Sequence, residues 1–244
     1  MTRTGSEGQL LVRKLEALGF DAMHLPLVRL TGVDDPERVR QQATALPQVD
    51  GLILTSREGV RQAANLGLLK DWRDVLTVVP GQGTRALALE VGMRRVHCPR
   101  AGAGNSEAML ALAELQGVAG TDWVILAARD GRRVLDQELV SRGAKVHRLT
   151  IYRRCSEPAD RAAINSLRTG QNWVTLLASG GALDRLSGSL PPGVWDTLRR
   201  GVMIVPSERL RLRAIDCGVS NVIVSAGASD QAMLAALMHG PSAV

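Results

Sequence analysis

The chain has 244 residues, of which 45% are hydrophobic, and a net charge of +6. This length suits one large or two ordinary domains, and no apolar run approaches the roughly 18 residues that a membrane span needs. The N-terminus shows no apolar segment of a secretory signal, and the three cysteines and four histidines have no metal-ligand spacing, so we expect a cytoplasmic protein with reduced thiols and no bound metal.

Arginine supplies almost all of the positive charge, since only Lys14, Lys70 and Lys145 of the 30 basic residues are lysines. The guanidinium group binds carboxylate or phosphate through two parallel hydrogen bonds. The arginines are dispersed and aromatic residues make up 2% of the chain, fewer than the stacking platforms of proteins that bind single-stranded nucleic acid need. Composition therefore favours a small polyanionic ligand over nucleic acid, with an ordinary solvated surface as an open alternative.

Six apolar runs rich in Val, Ile and Leu predict β-strands. Most of them precede a short Gly, Ser or Thr turn and a segment with helical periodicity, and three of those segments end in the glycine expected just past a helix. Apolar strands that alternate with helices are typical of a parallel sheet covered on both faces, and so of an α/β fold. The predicted strands are 51–54, 76–79, 123–127, 174–177, 202–205 and 222–224, and the three helical segments are 84–92, 132–143 and 208–218.

The chain contains an internal duplication. Residues 50–110 resemble residues 173–234, with VVPGQGTRALALEVGM aligned on IVPSERLRLRAIDCGV. The opening segment, 2–29, resembles 128–154, with Gly19 aligned on Gly143. We therefore expect two similar flavodoxin-like, doubly wound parallel-sheet domains with a pseudo-two-fold cleft, in which a ligand is to be sought.

The duplication also predicts how the chain divides. The opening segment matches the end of the middle block, which is complete by itself, whereas the C-terminal block lacks such a piece. We expect residues 1–27 plus 155–244 to form a first, discontinuous α/β domain and residues 28–154 to form an inserted second α/β domain. A two-stranded linker joins them in this interpretation, and the charged, proline-containing segments 34–38 and 153–161 are the predicted linkers.

Polar turns follow the predicted strands, at the carboxyl ends where such sheets bind ligands. Gly, Ser and Thr in these turns leave backbone N–H groups at helix N-termini, which suits an anion. Helix capping alone is the competing interpretation for each serine and threonine. The turns are Thr55-Ser56, 81–84 with Gly81 and Thr84, 129–132 with Arg129, 179–181 with Ser179, and 207–209 with Ser207 and Arg209.

These turns contain no set of residues for nucleophilic catalysis. Asp130 and Glu208 are their only acids, and a neighbouring arginine should keep each ionised. The site thus looks suited to hold a carboxylate-rich molecule. Tyr152 is the sole tyrosine and ends a predicted strand; it is either a buried residue with a satisfied hydroxyl or a cleft-facing phenol that donates a hydrogen bond or a proton.

The motifs, taken in order, resemble the uroporphyrinogen-III synthase family over nearly the whole chain. Each motif is loose by itself, but the order, the spacing and the final Tyr-Arg-Arg are specific. The matching segments are Thr2-Arg3, Thr55-Ser56 with Val60, VPGQGTR, SEAML, WVILAARDGRR, RGAKVHRLTIYRR and VPSERL followed by GASDQAMLAAL.

The resemblance implies a lyase of tetrapyrrole (heme) synthesis that closes linear hydroxymethylbilane into uroporphyrinogen III with ring D inverted. It implies no metal or organic cofactor and a substrate with eight carboxylates, and it raises a transient contact with hydroxymethylbilane synthase as an expectation. The sequence has no long apolar helix face and no coiled-coil repeat, so we expect a monomer. Tyr152 is then the candidate that assists loss of the hydroxyl group. Ser56, Thr84, Ser179 and Ser207 match carboxylate-binding positions of the family, and the Thr-Arg motif and the turns add Arg3, Gly81, Arg129 and Arg209 as binding candidates.

The opening of the chain departs from the family pattern. The family begins with an apolar strand before Thr-Arg, whereas only Met1 precedes Thr2 here, which indicates a misassigned start or a truncated sequence. Two other functions stay open: a non-catalytic, two-domain cytosolic binder of an anionic small molecule, and a nucleotide-dependent transferase. The transferase is weakened because the sequence has neither a phosphate-binding loop nor a dinucleotide fingerprint.

Overall fold

The computed structural model describes residues 2, 5–100, 105–170 and 172–240, apart from the side chain of Ser6. The chain forms two compact units. The central unit spans Leu30–Arg154, and the terminal unit combines the residues up to Arg29 with those from Cys155 onward. The chain thus passes from one unit to the other twice.

The central unit is built on a six-stranded sheet that includes both crossing strands, with the order β1-β6-β5-β2-β3-β4. Four of its strand pairs, β2–β3, β2–β5, β3–β4 and β5–β6, are parallel. Its elements are β1 (Val28–Gly32), α2 (Pro36–Thr44), β2 (Gly51–Leu54), α3 (Arg57–Asn65), β3 (Leu76–Val78), α4 (Gln82–Glu90), β4 (Val96–His97), α5 (Ser106–Leu110), a 3₁₀ turn (Ala113–Leu115), β5 (Asp122–Ala128), α6 (Val134–Ser141) and β6 (Lys145–Ser156).

Helices cover both faces of this sheet, so its central strands are buried on both sides. Leu52 and Leu54 of β2 pack into a core with α2, α3 and α4. Ile53 points to the opposite face and packs with α5 and α6. This alternation is the period-2 geometry of a strand, and it confirms the doubly wound α/β fold expected from the apolar runs.

The strand order is that of a flavodoxin-type sheet whose chain begins at a different strand. Without β1, the order is β6-β5-β2-β3-β4. If β5 is counted as the first strand and β6 as the second, this becomes 2-1-3-4-5, the flavodoxin order. The chain therefore enters the central unit at the third strand of the pattern and leaves it after the second.

The terminal unit contains a three-stranded parallel sheet with the order β7-β8-β9. By the sequence duplication, these strands correspond to β2, β3 and β4. One face packs on α7–α10 and the other on α1 and α11. The elements are α1 (Gly5–Ala17), α7 (Arg161–Thr169), β7 (Val174–Leu176), α8 (Gly180–Ser189), α9 (Pro192–Arg200), β8 (Val202–Val205), α10 (Glu208–Asp216), β9 (Asn221–Val224) and α11 (Asp230–His239).

The helix ends follow the sequence signals. Gly92, Gly143 and Gly218 lie just past α4, α6 and α10, with φ of 98°, 85° and 84°. These left-handed conformations favour glycine over any side chain, so the predicted ends of all three helices are confirmed.

The predicted linker 34–38 is wrong. The Asp35 carboxylate caps α2 by accepting from the Arg38 N–H, at 2.9 Å, and Pro36 begins the helix. A charged residue followed by proline is also the signal of a helix N-terminus, and here that signal applies. The first crossing between the units falls before this segment, at residues 29–30 within β1, and the second falls at residues 154–155, within β6 and inside the predicted linker 153–161.

Among the described helices, none has the length and the apolar character that a bilayer span requires.

Candidate functional site

Serine caps four of the described helices that follow parallel strands, and three of these caps, all but Ser229 of α11, lie in predicted binding turns. The Ser56 hydroxyl oxygen accepts from the Gly59 N–H at 2.9 Å at the start of α3. Ser179 and Ser207 do the same for α8 and α10, at 3.3 and 3.4 Å. A hydroxyl has one donor and two acceptor positions, and capping uses one acceptor. Each cap can therefore still donate a hydrogen bond to an anion.

Ser56 has a second partner, the hydroxyl of Tyr152. The two oxygens lie 2.9 Å apart, and the Tyr152 side chain is 1% exposed. The ring packs in the core that α2, α3 and α4 cover. The phenol is thus buried and hydrogen-bonded, and the half-buried Ser56 stands at the start of α3, at the end of the strand.

A β-bulge places Tyr152 beside Ser56. In the pairing of β5 with β6, Ala127 lies opposite Thr150 but Ala128 lies opposite Tyr152, so Ile151 is an extra residue on β6. A regular strand would direct Ile151 and Tyr152 to opposite faces. With the bulge, both side chains are buried in the same core.

The N-terminus of α4 has no side-chain cap. Gly81 occupies the cap position with extended backbone, and its carbonyl accepts from the N–H groups of Thr84 and Arg85, each at 3.0 Å. Thr84 is buried, with 7% exposure. The first turn of α4, like that of α6 after Arg133, therefore has backbone N–H groups that no side chain caps.

Arg57 adds a positive charge at this helix terminus. A Cβ atom built on Gly83 would overlap the Arg57 Nη2 atom, so the guanidinium group rests directly on the first turn of α4. Arg57 is the first residue of α3 and follows the Thr-Ser turn. Arg57 was not among the predicted binding residues, although its place directly after that turn was a usable signal.

Arg148 of β6 holds the turn that follows β5. This guanidinium pairs with Asp136 and donates to the Gly131 carbonyl at 3.1 Å, with 9% of its side chain exposed. Arg129 and Asp130 stand exposed on the turn, and Asp130 pairs with Arg154 at 2.9 Å. Arg154 also lies 5.8 Å from the centre of the Tyr152 ring.

In the terminal unit, arginines accompany the serine caps. Arg209 is exposed in the first turn of α10, beside the Ser207 cap. A hydrogen bond from Arg211 holds the pKa of Glu208 below its ordinary value. This acid therefore stays ionised, as expected, although its partner is Arg211 and not the adjacent Arg209.

The predicted residues fall into three groups. Ser56 and Tyr152 are in contact, and Gly81, Thr84 and Arg129 lie on other turns of the same unit. Ser179, Ser207 and Arg209 belong to the terminal unit, and Arg3 lies outside the described residues. In the described part of the chain, no three His, Cys, Asp or Glu side chains come together as a metal-binding group.

The chain matches known proteins over most of its length. A model of the family described as uroporphyrinogen-III synthase HemD matches residues 9–235. The uroporphyrinogen-III synthase of Salmonella typhimurium is 32% identical over 245 residues and that of Escherichia coli 30% over 243, each match covering 97% of this chain and 98% of the relative. The crystal structure of the uroporphyrinogen-III synthetase of Helicobacter pylori superposes with a TM-score of 0.64 at 12% identity, covering 89% of this chain and 92% of that one. This last likeness concerns the fold.

We predict that the duplicated serine caps differ in their effect on stability. Ser179→Ala should lower the free energy of unfolding by about 1 kcal/mol, the ordinary effect of losing a cap. Ser56→Ala loses a cap and also leaves the buried Tyr152 hydroxyl without its partner, which adds about 1–3 kcal/mol. Denaturant-induced unfolding of both variants measures the difference.

The control is the double variant Ser56→Ala/Tyr152→Phe, which removes both hydroxyls. It should recover part of the loss, because no buried hydroxyl is then left unpaired. Equal destabilisation by the two single serine variants would contradict the structural role of the Ser56–Tyr152 hydrogen bond.

Proposed function

Since the chain belongs to the uroporphyrinogen-III synthase family of tetrapyrrole-synthesis enzymes, we propose that it acts as a lyase that closes hydroxymethylbilane into uroporphyrinogen III. Once a proton is supplied, the terminal hydroxymethyl carbon loses its hydroxyl group as water, and loss of the N–H proton of the same pyrrole ring gives a neutral azafulvene. The substituted carbon of ring D attacks that centre and gives a spiro intermediate. The bond from this carbon to the methylene of ring C then breaks, and the free α-carbon of ring D attacks that methylene and loses its proton, which leaves ring D inverted. The hydrogen bond between Ser56 and Tyr152 is the observation that assigns this proposed reaction to particular atoms of the chain.

We propose that the helix N-termini hold the carboxylates of the substrate. The serine caps of α3, α8 and α10 each keep an O–H donor, and α4 offers backbone N–H groups beside the Arg57 guanidinium. The positive end of each helix dipole adds to the attraction. Many moderate contacts of this kind fix the conformation of a flexible bilane, which favours the spiro route over direct closure.

We propose that the Tyr152 hydroxyl assists departure of the leaving hydroxyl through Ser56. Tyr152 is almost fully buried, so its proton reaches substrate most directly along the hydrogen bond to Ser56. The Ser56 oxygen then accepts from Gly59 and from Tyr152 and donates its own proton outward, which uses its full hydrogen-bonding capacity. The same contacts orient the serine before substrate arrives.

We further propose that the enzyme works in the cytoplasm as a monomer. Cys98, Cys155 and Cys217, all among the described residues, form no disulfide, which agrees with a reducing compartment. The domain bounds of 1–27 with 155–244, and 28–154, stay our proposal for the functional domains, as do Arg3 as a binding residue and a transient contact with hydroxymethylbilane synthase.

The product isomer tests the function directly. The protein is supplied with hydroxymethylbilane generated in situ from porphobilinogen, and the oxidised uroporphyrins are separated by chromatography. We expect predominantly type III, because only the spiro route inverts ring D. Type I alone, from protein shown by circular dichroism to be folded, would contradict the function and favour the non-catalytic anion binder.

If the proton of Tyr152 reaches the substrate through Ser56, loss of either hydroxyl group should lower the rate by the same factor. Tyr152→Phe and Ser56→Ala should each lower kcat by about tenfold, equivalent to about 1.4 kcal/mol in the transition state, and the double variant should be no slower than either. Thr84→Ala, which touches neither hydroxyl, should have a smaller effect. Rates are compared below the unfolding transition of every variant. Wild-type turnover by Tyr152→Phe would rule out the role of the phenol.

Arg57 at the first turn of α4 predicts a change in binding. Arg57→Ala should raise KM by about tenfold with little change in kcat, because a charged hydrogen bond of about 1.5–3 kcal/mol is lost. Gly83→Ala should act in the same way, since its Cβ displaces the flexible end of Arg57. Steady-state kinetics of the double variant should match Arg57→Ala alone.

Arg61→Ala is the control for charge, because Arg61 lies one turn later on the same helix. An equal rise in KM for Arg61→Ala would mean that net charge, and not the position of Arg57, controls binding.

A further inference from the structure

Asp130 and Arg154 face each other at the carboxyl edge of the central sheet. The register of β5 with β6 places Ala128 opposite Tyr152, and the Arg129 N–H donates to the Tyr152 carbonyl at 2.9 Å. The same register carried two residues further sets Asp130 opposite Arg154. Their side chains form an ion pair there, with 2.9 Å between Arg154 Nη1 and Asp130 Oδ1, so the pair joins the turn after β5 to β6.

Arg154 lies beside the hydroxyl pair of Ser56 and Tyr152. It is two residues after Tyr152 on β6, and alternate residues of a strand point to the same face. Its guanidinium carbon lies 5.8 Å from the centre of the Tyr152 ring. Tyr152 is 1% exposed, whereas the Arg154 side chain is 37% exposed. Arg154 therefore brings a positive charge that solvent can reach into contact with the buried phenol ring.

The two arginines of the Tyr-Arg-Arg motif differ in how many of their donors are used. A guanidinium group has five N–H donors. Arg153 donates to both carboxylate oxygens of Asp34 and to the Thr31 hydroxyl, so its fork is occupied by the end of β1 and the loop after it. Arg154 has one hydrogen bond among the described residues, from Nη1 to Asp130. Most of its donors are thus open to a further carboxylate.

Asp130 is itself a carboxylate at an edge of the sheet where carboxylates are expected to bind. Its side chain is 55% exposed, and the bond from Arg154 is its one hydrogen bond within the described part of the chain. The pairing neutralises a charge that would otherwise repel a polyanion. Solvent screens an exposed ion pair, which therefore contributes little to stability. A carboxylate of the substrate can accordingly displace Asp130 from Arg154 at small cost.

We propose that Arg154 binds a carboxylate of the substrate and that Asp130 holds the guanidinium in place until the substrate displaces it. The bound carboxylate presents both of its oxygens to the planar fork of the guanidinium, of which Asp130 uses one donor. The substrate is then anchored beside Ser56 and Tyr152, and Asp130 turns to solvent. This inference rests on the proposed function, because it concerns the substrate of that reaction.

Substitution of the two partners should change KM in opposite directions. Asp130→Asn releases the guanidinium, so KM should fall by about two- to fivefold, the range that the coupling of an exposed ion pair gives. Arg154→Gln should raise KM by about tenfold, because a charged hydrogen bond to the substrate is lost. Both variants should change kcat little, since the carboxylate stays bound throughout the reaction. Initial rates of type III formation over a series of hydroxymethylbilane concentrations give both constants.

Two controls separate release of the guanidinium from a change in net charge. Asp130→Asn added to Arg154→Gln should leave KM within about twofold of that of Arg154→Gln alone, because no guanidinium is left to release. Asp74→Asn removes the same charge from another exposed ion pair, with Arg94 at 3.1 Å. Asp74 precedes β3 and so lies at the amino edge of the sheet, where its loss should leave KM unchanged. Thermal unfolding shows that each variant is folded.

The sign of the change for Asp130→Asn decides the outcome. If the ion pair only supported the turn, this variant would raise KM or leave it unchanged, and either result overturns the proposal. It is also overturned if Arg154→Gln keeps the wild-type KM, or if Asp74→Asn lowers KM as much as Asp130→Asn. In these cases the wild type still forms type III, so the proposed function stands. Type I alone from the folded wild type would overturn the proposed function and this proposal together.

Discussion

Parallel pairing of β2 with β5 is the constraint on which the central unit depends. The two strands match from Gly51 opposite Trp123 to Leu54 opposite Leu126, and β2 is buried along its whole length. Parallel strands must be joined by crossovers, here helices, and those helices cover both faces. The carboxyl ends of the strands therefore share one edge, where each following helix begins. The concentration of helix N-termini, and of positive potential, at that edge is a consequence of strand direction.

The serine caps show that a structural and a functional role are compatible in one residue. A cap accepts from a backbone N–H, whereas a bound carboxylate needs a donor, and a hydroxyl supplies both. Ser56 thus begins α3, and it still presents an O–H group when Tyr152 is the donor of their shared hydrogen bond. Capping explains why serine occurs at these positions, but it does not argue against binding. The contact with Tyr152 distinguishes Ser56 from Ser179, whose hydroxyl group forms the cap and no further hydrogen bond among the described residues.

Local signals in the sequence predicted the strands and the helix ends, because an apolar run or a terminal glycine determines the conformation of the few residues around it. The position of Tyr152 could not be predicted, since the bulge at Ala127 and Ala128 reverses the side that alternation assigns to it. Arg57 and Arg148 were missed for a different reason. A long cationic side chain gives no local pattern, and only the packing of α3 on α4, or of β6 beneath the turn, decides where its guanidinium lies.

Both units have serine caps, but the hydrogen-bonded hydroxyl pair of Ser56 and Tyr152 occurs in the central unit alone. When the ends of the matching segments are aligned, Tyr152 corresponds to Leu27, whose side chain cannot form a hydrogen bond. Sites that bind carboxylates through backbone N–H groups follow from the fold itself, so a copied unit inherits them without further change. A buried phenol paired with a serine requires a particular residue and a bulge that turns it. Each unit by itself therefore has the helix N-termini that suit a carboxylate, whereas the hydroxyl pair of Ser56 and Tyr152 belongs to the central unit.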